Sequence, residues 1–297
     1  QLSMGEQCRL FEKNFAKHQG CEDAILFNSG GSANLAMIQS LKNLGCLVDG
    51  DKVGFSALTW STNVMPIIQM GLIPVAVDCS GNTLNVMSSD VESIIKSSKI
   101  KALFVTNVLG LSGDIDNIRD ICNEKKIILF EDNCESLGST LSNEKLGNFG
   151  IMSSFSFFVA HHMSTIEGGM VCTSDMEMAQ MLRLVRANGW DRNLKSSEQK
   201  RLRSKYSIKS EFNAKYTFYD LAFNLRPTEI TGFLGNFQLN FLDESNFKRE
   251  KNFLQLHELV IKNNNLIPIN FSHMKFLSSF AFPVICKNEE IKNHYIN

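Results

Sequence analysis

The sequence predicts an α/β fold built on a mainly parallel sheet, from three features of its pattern. Short apolar runs recur between helix-compatible stretches. The runs are continuous rather than alternating, as in strands covered on both faces. Cap and turn signals stand between them. The runs fall at 24–27, 73–77, 102–106, 127–130, 153–158 and 169–173. Ser89 with Glu92 opens a helix by capping-box logic, Asp114 caps another before Ile115, and Pro227 suits a first helical turn. Strands alternating with helices imply crossover connections. From about 176 onward the texture becomes helical, and the Lys-, Arg-, Ser- and Glu-rich segment 193–215 reads as an exposed excursion, a solvated face rather than a binding site. A last apolar run, 280–285, reads as a strand. The chain begins at Gln1 and stops at Asn297 soon after that run, so both ends look cut.

With 297 residues, 43% of them hydrophobic, the chain can bury one large α/β core and part of a smaller unit. The expected division is a large domain over 1–242 and, over 243–297, a connecting helix with the start of a truncated C-terminal α/β domain. Thirty Lys and Arg balance 31 Asp and Glu, so no overall field draws the protein to nucleic acid or an anionic membrane. Any bound anion must be held by local geometry. The eight cysteines, at 8, 21, 46, 79, 122, 134, 172 and 286, lack the paired spacing of a zinc site and the density of a disulfide scaffold. A reducing, cytoplasmic setting is expected. No apolar run approaches the roughly 20 residues needed to span a bilayer, and no signal-peptide pattern is present.

Four local patterns carry chemistry. Asn28-Ser-Gly-Gly-Ser-Ala-Asn34 is a glycine and serine turn between strand and helix; it suits a phosphate cradle, or an ordinary βα loop. Glu131-Asp-Asn-Cys-Glu135 follows a strand at the end where open α/β sheets bind ligands, and Asp132 there suits pairing with a protonated ring nitrogen, or a helix cap or turn. Ser156-Phe-Phe-Val-Ala-His161-His162, followed by Glu167-Gly-Gly169, presents a hydroxyl and an imidazole beside a tight glycine pair. Adjacent histidines point in different directions, so one catalytic histidine and one structural neighbour is preferred over a metal site. Phe223-Asn-Leu-Arg226 places an Asn and an Arg before a helix, fit for an anion or a cap.

In this order, from about residue 5 to 284, the patterns resemble the DegT/DnrJ/StrS family of sugar aminotransferases and their dehydratase relatives. The resemblance implies the type I fold of pyridoxal-phosphate enzymes: a seven-stranded large domain, a small C-terminal domain, and a homodimer with shared active sites. It implies that Gly31, Ser32 and Ser156 bind the cofactor phosphate, that Trp60 in Leu58-Thr-Trp-Ser61 stacks on its ring, and that Asp132 pairs with its pyridine nitrogen. Glu135 falls where the ring hydroxyl is contacted, and Asn224 matches a residue reaching the partner subunit's phosphate. The departure is at His161, where family aminotransferases carry, in Ser-Phe-x-Pro-x-Lys-Asn, the lysine that holds the cofactor covalently. An imidazole cannot form that link, and the pattern is similar to the histidine-containing 3-dehydratases of deoxysugar synthesis. One of those, acting on a CDP-linked hexose, also carries an iron–sulfur cluster held by cysteines in the later half of the chain. Here no cysteine lies between Cys172 and Cys286, so no such cluster is expected. Val159 replaces the usual proline and Ile166 a common glycine.

The resemblance therefore implies an enzyme of lipopolysaccharide or other surface-glycan synthesis that binds pyridoxamine or pyridoxal 5′-phosphate without a covalent link. It would remove the 3-hydroxyl of a nucleotide-linked 4-keto-6-deoxyhexose, with His161 as the base and glutamate restoring the cofactor. The alternatives are a sugar aminotransferase using glutamate, and a cofactor-binding relative without turnover.

Overall fold

Residues 2–296 are described by a computed structural model; Gln1 and Asn297, the outer bounds of the two expected domains, lie outside the described residues. Helix α1 (Glu6–Gln19) leads into β1 (Asp23–Phe27), α2 (Gly30–Asn43), β2 (Lys52–Ser56), α3 (Ser61–Gln69), β3 (Ile73–Val77), α4 (Ser88–Ser97), β4 (Ala102–Thr106), α5 (Ile115–Lys125) and β5 (Ile128–Asp132). A small pair, β6 (Thr140–Leu141) and β7 (Glu144–Lys145), precedes β8 (Ser153–Ser156) and β9 (Gly169–Thr173). The large sheet has seven strands in the order β1-β9-β8-β5-β4-β2-β3. All its pairings are parallel except those of β9, which runs antiparallel to both β1 and β8. An antiparallel neighbour needs no crossover helix, which leaves the connection 157–168 free to carry the histidines.

Alternation along each strand feeds two faces. Ile25 and Phe27 of β1 pack with Ala33, Met37 and Leu41 of α2, while Ala24 and Leu26 pack with Phe11 and Phe15 of α1. Helices α4 and α5 cover the remaining sheet through Val91, Ile115, Ile118 and Cys122.

Several expected boundaries moved. Strand β2 was not among the apolar runs: Lys52-Val-Gly-Phe-Ser is broken by Gly54, where a Cβ would lie 2.9 Å from Leu103 Cδ1. Strand β3 is the sheet edge, so its apolar run is largely exposed rather than covered. Helix α4 starts at Ser88, with the Asp90 carboxylate accepting from Met87 N at 2.9 Å, so Ser89 and Glu92 are not its box. Asp114 stands at the N-cap of α5 but turns its carboxylate to Ser88 N, 2.7 Å away.

After α6 (Met176–Arg186), the segment 193–215 folds into α7 (Ser196–Lys205) and the single turn α8 (Glu211–Ala214), with α7 burying no side chain. Thr228 caps α9 (Glu229–Leu239), so Pro227 lies before the cap and not in the first helical turn. Then follow the 20-residue α10 (Leu242–Ile261), β10 (Leu266–Ile267), β11 (Met274–Phe276), β12 (Ile285–Cys286) and α11 (Glu289–Ile296). Strand β11 joins β6 and β7, which stitches the C-terminal segment to the stretch between β5 and β8. The run 280–285 is not a strand: only Ile285 and Cys286 pair, with β10. Pro283 withholds a donor, and Phe280 N is already given to Leu109 O at 3.0 Å.

Candidate active site

The C-terminal ends of β1, β5 and β8 and the start of the antiparallel β9 meet at one edge of the sheet, where ligands of open α/β sheets bind. Asp132 ends β5 there and is buried. A buried carboxylate without a cation needs donors. Its Oδ2 accepts from Asn34 Nδ2 at 2.9 Å and Asn63 Nδ2 at 2.8 Å, and its Oδ1 accepts from Cys134 N at 2.9 Å. The last bond is the turn-forming role also open to this residue; the two amides, from α2 and α3, orient the carboxylate besides. Neither amide was singled out from the sequence for this task, although Asn34 is a polar residue on a helix face otherwise occupied by Ala33, Ala36 and Met37. Its neighbour Glu131 points the other way into the protein and accepts from Gly147 N, Phe149 N and Gly150 N at 2.8 to 2.9 Å. Glu135, half-buried, accepts from Leu109 N at 2.8 Å, and burial pushes its carboxyl pKa upward against that bond.

Ser29 caps α2, accepting from Ser32 N at 3.1 Å and donating to Ser32 Oγ at 3.0 Å. The first turn of this 14-residue helix holds no acidic residue, so its N–H groups and dipole favour an anion. Its glycines let neighbouring segments pack close against the turn. A Cβ on Gly30 would lie 2.6 Å from Ser156 Cβ, one on Gly31 3.1 Å from Thr62 Cγ2, and one on Gly169 would collide with the Ser29 carbonyl. Ser156, at the end of β8, faces Gly30, with its Oγ accepting from Phe158 N at 3.4 Å.

The turn after β8 separates the two histidines. The buried His162 donates from Nε2 to Ser278 O at 2.9 Å, and burial pushes its pKa down to about 4. His161 keeps a buried Nδ1 without a hydrogen-bond partner among the described residues. Burial lowers its pKa most; a backbone hydrogen bond to Cys134 and the charge of Asp132 oppose that, and Arg249 reinforces it. Asp132, Cys134 and His161 are thus neighbours. No group of three or more His, Cys, Asp or Glu able to hold a metal occurs among the described residues.

Trp60 stands at the N-cap of α3, 71% exposed, one turn before the Asn63 that reaches Asp132. Asn224 is exposed, accepts from Arg226 Nε at 2.7 Å, and is followed by Leu225, whose carbonyl accepts from Asn28 N at 3.1 Å. The segment therefore lies beside the glycine and serine turn without joining Asp132 and His161.

Asp132, Cys134, His161, Ser156 and the glycine and serine turn therefore lie together, with Trp60 at the start of the helix that supplies Asn63. Residues 1–296 match the DegT/DnrJ/EryC1/StrS aminotransferase family. The chain is 38% identical, over 84% of its own length and 64% of the other's, to GDP-4-keto-6-deoxy-D-mannose 3-dehydratase of Escherichia coli O55:H7. It is also 38% identical to the protein of the same name from Yersinia pseudotuberculosis, over 87% of this chain and 65% of that one. Among solved structures, that of the E. coli GDP-4-keto-6-deoxy-D-mannose-3-dehydratase with bound hydrated PLP superimposes with a TM-score of 0.85 at 34% identity, covering 97% of this chain and 73% of the other. The chain thus spans just under two thirds of the length of these curated relatives.

Proposed function

This chain belongs to the DegT/DnrJ/EryC1/StrS aminotransferase family and has its type I fold, and from that premise we propose that it is a 3-dehydratase of a nucleotide-linked 4-keto-6-deoxyhexose using noncovalently bound pyridoxamine 5′-phosphate. The observation that carries the reading is the placement of His161: an imidazole beside Asp132 and Cys134, at the position of the lysine in aminotransferases, while its neighbour His162 gives Nε2 to Ser278 O.

The residues fit the cofactor. The missing Cβ at Gly30 and Gly169 lets Ser156 and β9 close in on the start of α2, so the Gly31 and Ser32 turn with Ser156 would hold the phosphate at that helix N-terminus. Trp60 offers a flat face for the ring, Glu135 a carboxyl for its hydroxyl, and Asp132 an anion for its nitrogen. When bound, the cofactor supplies an amine for the sugar's keto group and an electron sink for the carbanion that forms. Asp132, held by Asn34 and Asn63, keeps the ring nitrogen protonated. His161, whose pKa burial lowers, would take a proton from the cofactor's methylene carbon and return one to the departing 3-hydroxyl, which would leave as water. Glutamate is the amino donor that restores the cofactor.

We further infer a homodimer in which Asn224 reaches the partner's phosphate cup. Its support is the exposed stripe Ile230, Phe233 and Phe237 on α9, beside the segment that carries Asn224. All eight cysteines are free, in keeping with a reducing, cytoplasmic setting, and no helix among the described residues is long and apolar enough to cross a membrane.

The deciding experiment supplies the cofactor-loaded protein with a panel of nucleotide-linked 4-keto-6-deoxy sugars, the GDP-linked mannose derivative first. The expected product is the 3-deoxy sugar, with solvent deuterium entering the cofactor's methylene. The rate should fall as pH drops through a midpoint below the ordinary imidazole value, because the protonated ring is no base. His161→Asn should lose roughly 100-fold or more. A 4-amino product, or a borohydride-fixable link in the unaltered protein, marks an aminotransferase instead; bound cofactor without exchange marks a relative without turnover.

A further inference from the structure

The segment 278–280, more than a hundred residues from the histidine turn in sequence, crosses that turn in space and is clamped at almost every backbone group. Ser278 N donates to Ser139 Oγ at 2.9 Å, and Ser278 O accepts from His162 Nε2 at 2.9 Å. Phe280 N donates to Leu109 O at 3.0 Å. Arg249 of α10 donates from Nη1 to both Ser279 O, at 3.0 Å, and Phe280 O, at 3.3 Å. Opposite them, Gly110 has φ +88°, and a Cβ there would lie 2.6 Å from Ser279 Cα, so the two backbones touch. This clamping sets the Phe280 ring 5.2 Å from that of His161 and 6.2 Å from that of His162.

Arg249 makes no ion pair with a carboxylate among the described residues, and burial lowers its pKa. A half-buried guanidinium without a counter-ion is costly unless its position serves something. We propose that Arg249 is a positioning residue for His161, which, by gripping the Ser279 and Phe280 carbonyls, seats the Phe280 ring as a wall against the imidazole. The proposal rests on the reading of His161 as the base. The charged and titratable groups facing that ring are Asp132 at the end of β5, Arg249 on α10 and His162 in its own turn, with the Cys134 backbone after β5. Asp132 favours the imidazolium and Arg249 opposes it.

Nuclear magnetic resonance of the histidine rings in the cofactor-free protein tests the device without turnover. Arg249→Met should raise the His161 titration midpoint by about half a unit, as loss of one partly screened neighbouring charge does, and should abolish the ring-current shift from Phe280. Arg249→Lys, which keeps the charge but ends one bond short of the Nη1 that reaches both carbonyls, should leave the midpoint near wild type and still lose the shift; it reads the grip if the methionine variant does not fold. Phe280→Leu should lose the shift and keep the midpoint. In the loaded enzyme, Arg249→Met should lower kcat about tenfold with KM within about twofold, the split expected when an interaction made in the transition state is lost. A folded Arg249→Met or Arg249→Lys protein whose ring-current shift on His161 equals that of wild type overturns the proposal, whatever its titration midpoint. Should both move while even wild type fails to exchange the methylene proton, the grip on His161 stands and its assignment as base fails.

Discussion

His161 and His162 are adjacent in sequence, and both keep a buried Nδ1 without a hydrogen-bond partner among the described residues, but they meet different neighbours. His161 lies beside Asp132 and Cys134; His162 spends Nε2 on the Ser278 carbonyl and is driven to about pKa 4 by burial. The sequence pattern was enough to expect this division, because neighbouring side chains cannot share a direction. It could not say which ring was which without the family pattern, since the carbonyl that claims His162 belongs to Ser278, far along the chain. Asn34 and Asn63 were missed for the same reason: their partner Asp132 is distant in sequence, and an amide on a helix face carries no mark of what it will meet. The depressed pKa of His162 makes a stability prediction. Its unfolded value is 6.5 and its folded value about 4, so the unfolded chain binds the extra proton between them. The contribution is complete above pH 6.5 and is lost as pH falls toward 4, amounting to about 3 kcal/mol. His162→Gln keeps a donor for Ser278 O and removes the titration. In urea unfolding, the stability of wild type relative to this variant should therefore fall by about that amount between pH 7 and pH 4. A difference that stays constant with pH would show that His162 does not carry the linkage.

Elements were legible where burial left a continuous apolar run and illegible where contact geometry replaced it. Strands β4 and β9 are fully buried and stood out; β2 did not, because Gly54 has traded a strand-forming side chain for close approach of Leu103 and Ile100. The run 280–285 has strand composition, yet its backbone groups go to Leu109 and Arg249 instead of a sheet. The start of α4 moved by two residues, from a cap at Ser89 to one at Met87, because an aspartate, Asp90, did the work assigned to a glutamate. The most consequential element contact is between the start of β9 and the turn after β1. A methyl at Gly169 would lie 2.7 Å from Gly30 N and closer still to the Ser29 carbonyl, so the turn would have to retreat from Ser156. Gly169→Ala should cost about 1–3 kcal/mol of stability, as overpacking does, and should weaken pyridoxamine phosphate binding about tenfold or more in a fluorescence titration. Gly81→Ala, where a Cβ meets open space, is the control. Equal affinity in the two variants would remove the turn from the phosphate site.

At the scale of the molecule, the order in which β1, β5, β8 and β9 deliver their ends to one edge is written in the chain, and it made the candidate site readable before any contact was known. What closes that site comes from elsewhere: Arg249 and Phe280 from the C-terminal segment and, in the proposed dimer, Asn224 from a second copy. Helix α9 has the two faces such pairing requires. Its inner face carries Gly232 and Gly235, which let α1 approach until a Cβ on Gly235 would touch the Phe11 ring. Its outer face holds Ile230, Phe233 and Phe237, all more than half exposed, and a contiguous apolar stripe of this kind marks a binding surface. Placing Glu at both Phe233 and Phe237 would bring charges into that contact without disturbing the inner face. Sedimentation at micromolar concentration should find wild type at twice the chain mass and the double variant at the chain mass, with cofactor affinity reduced because each phosphate cup has lost its neighbour. Asn224→Ala should weaken the cofactor while leaving the mass doubled, which separates the reach of one side chain from the pairing that delivers it. Wild type at the chain mass, or a double variant that stays paired, would mean that this face is not where two copies meet.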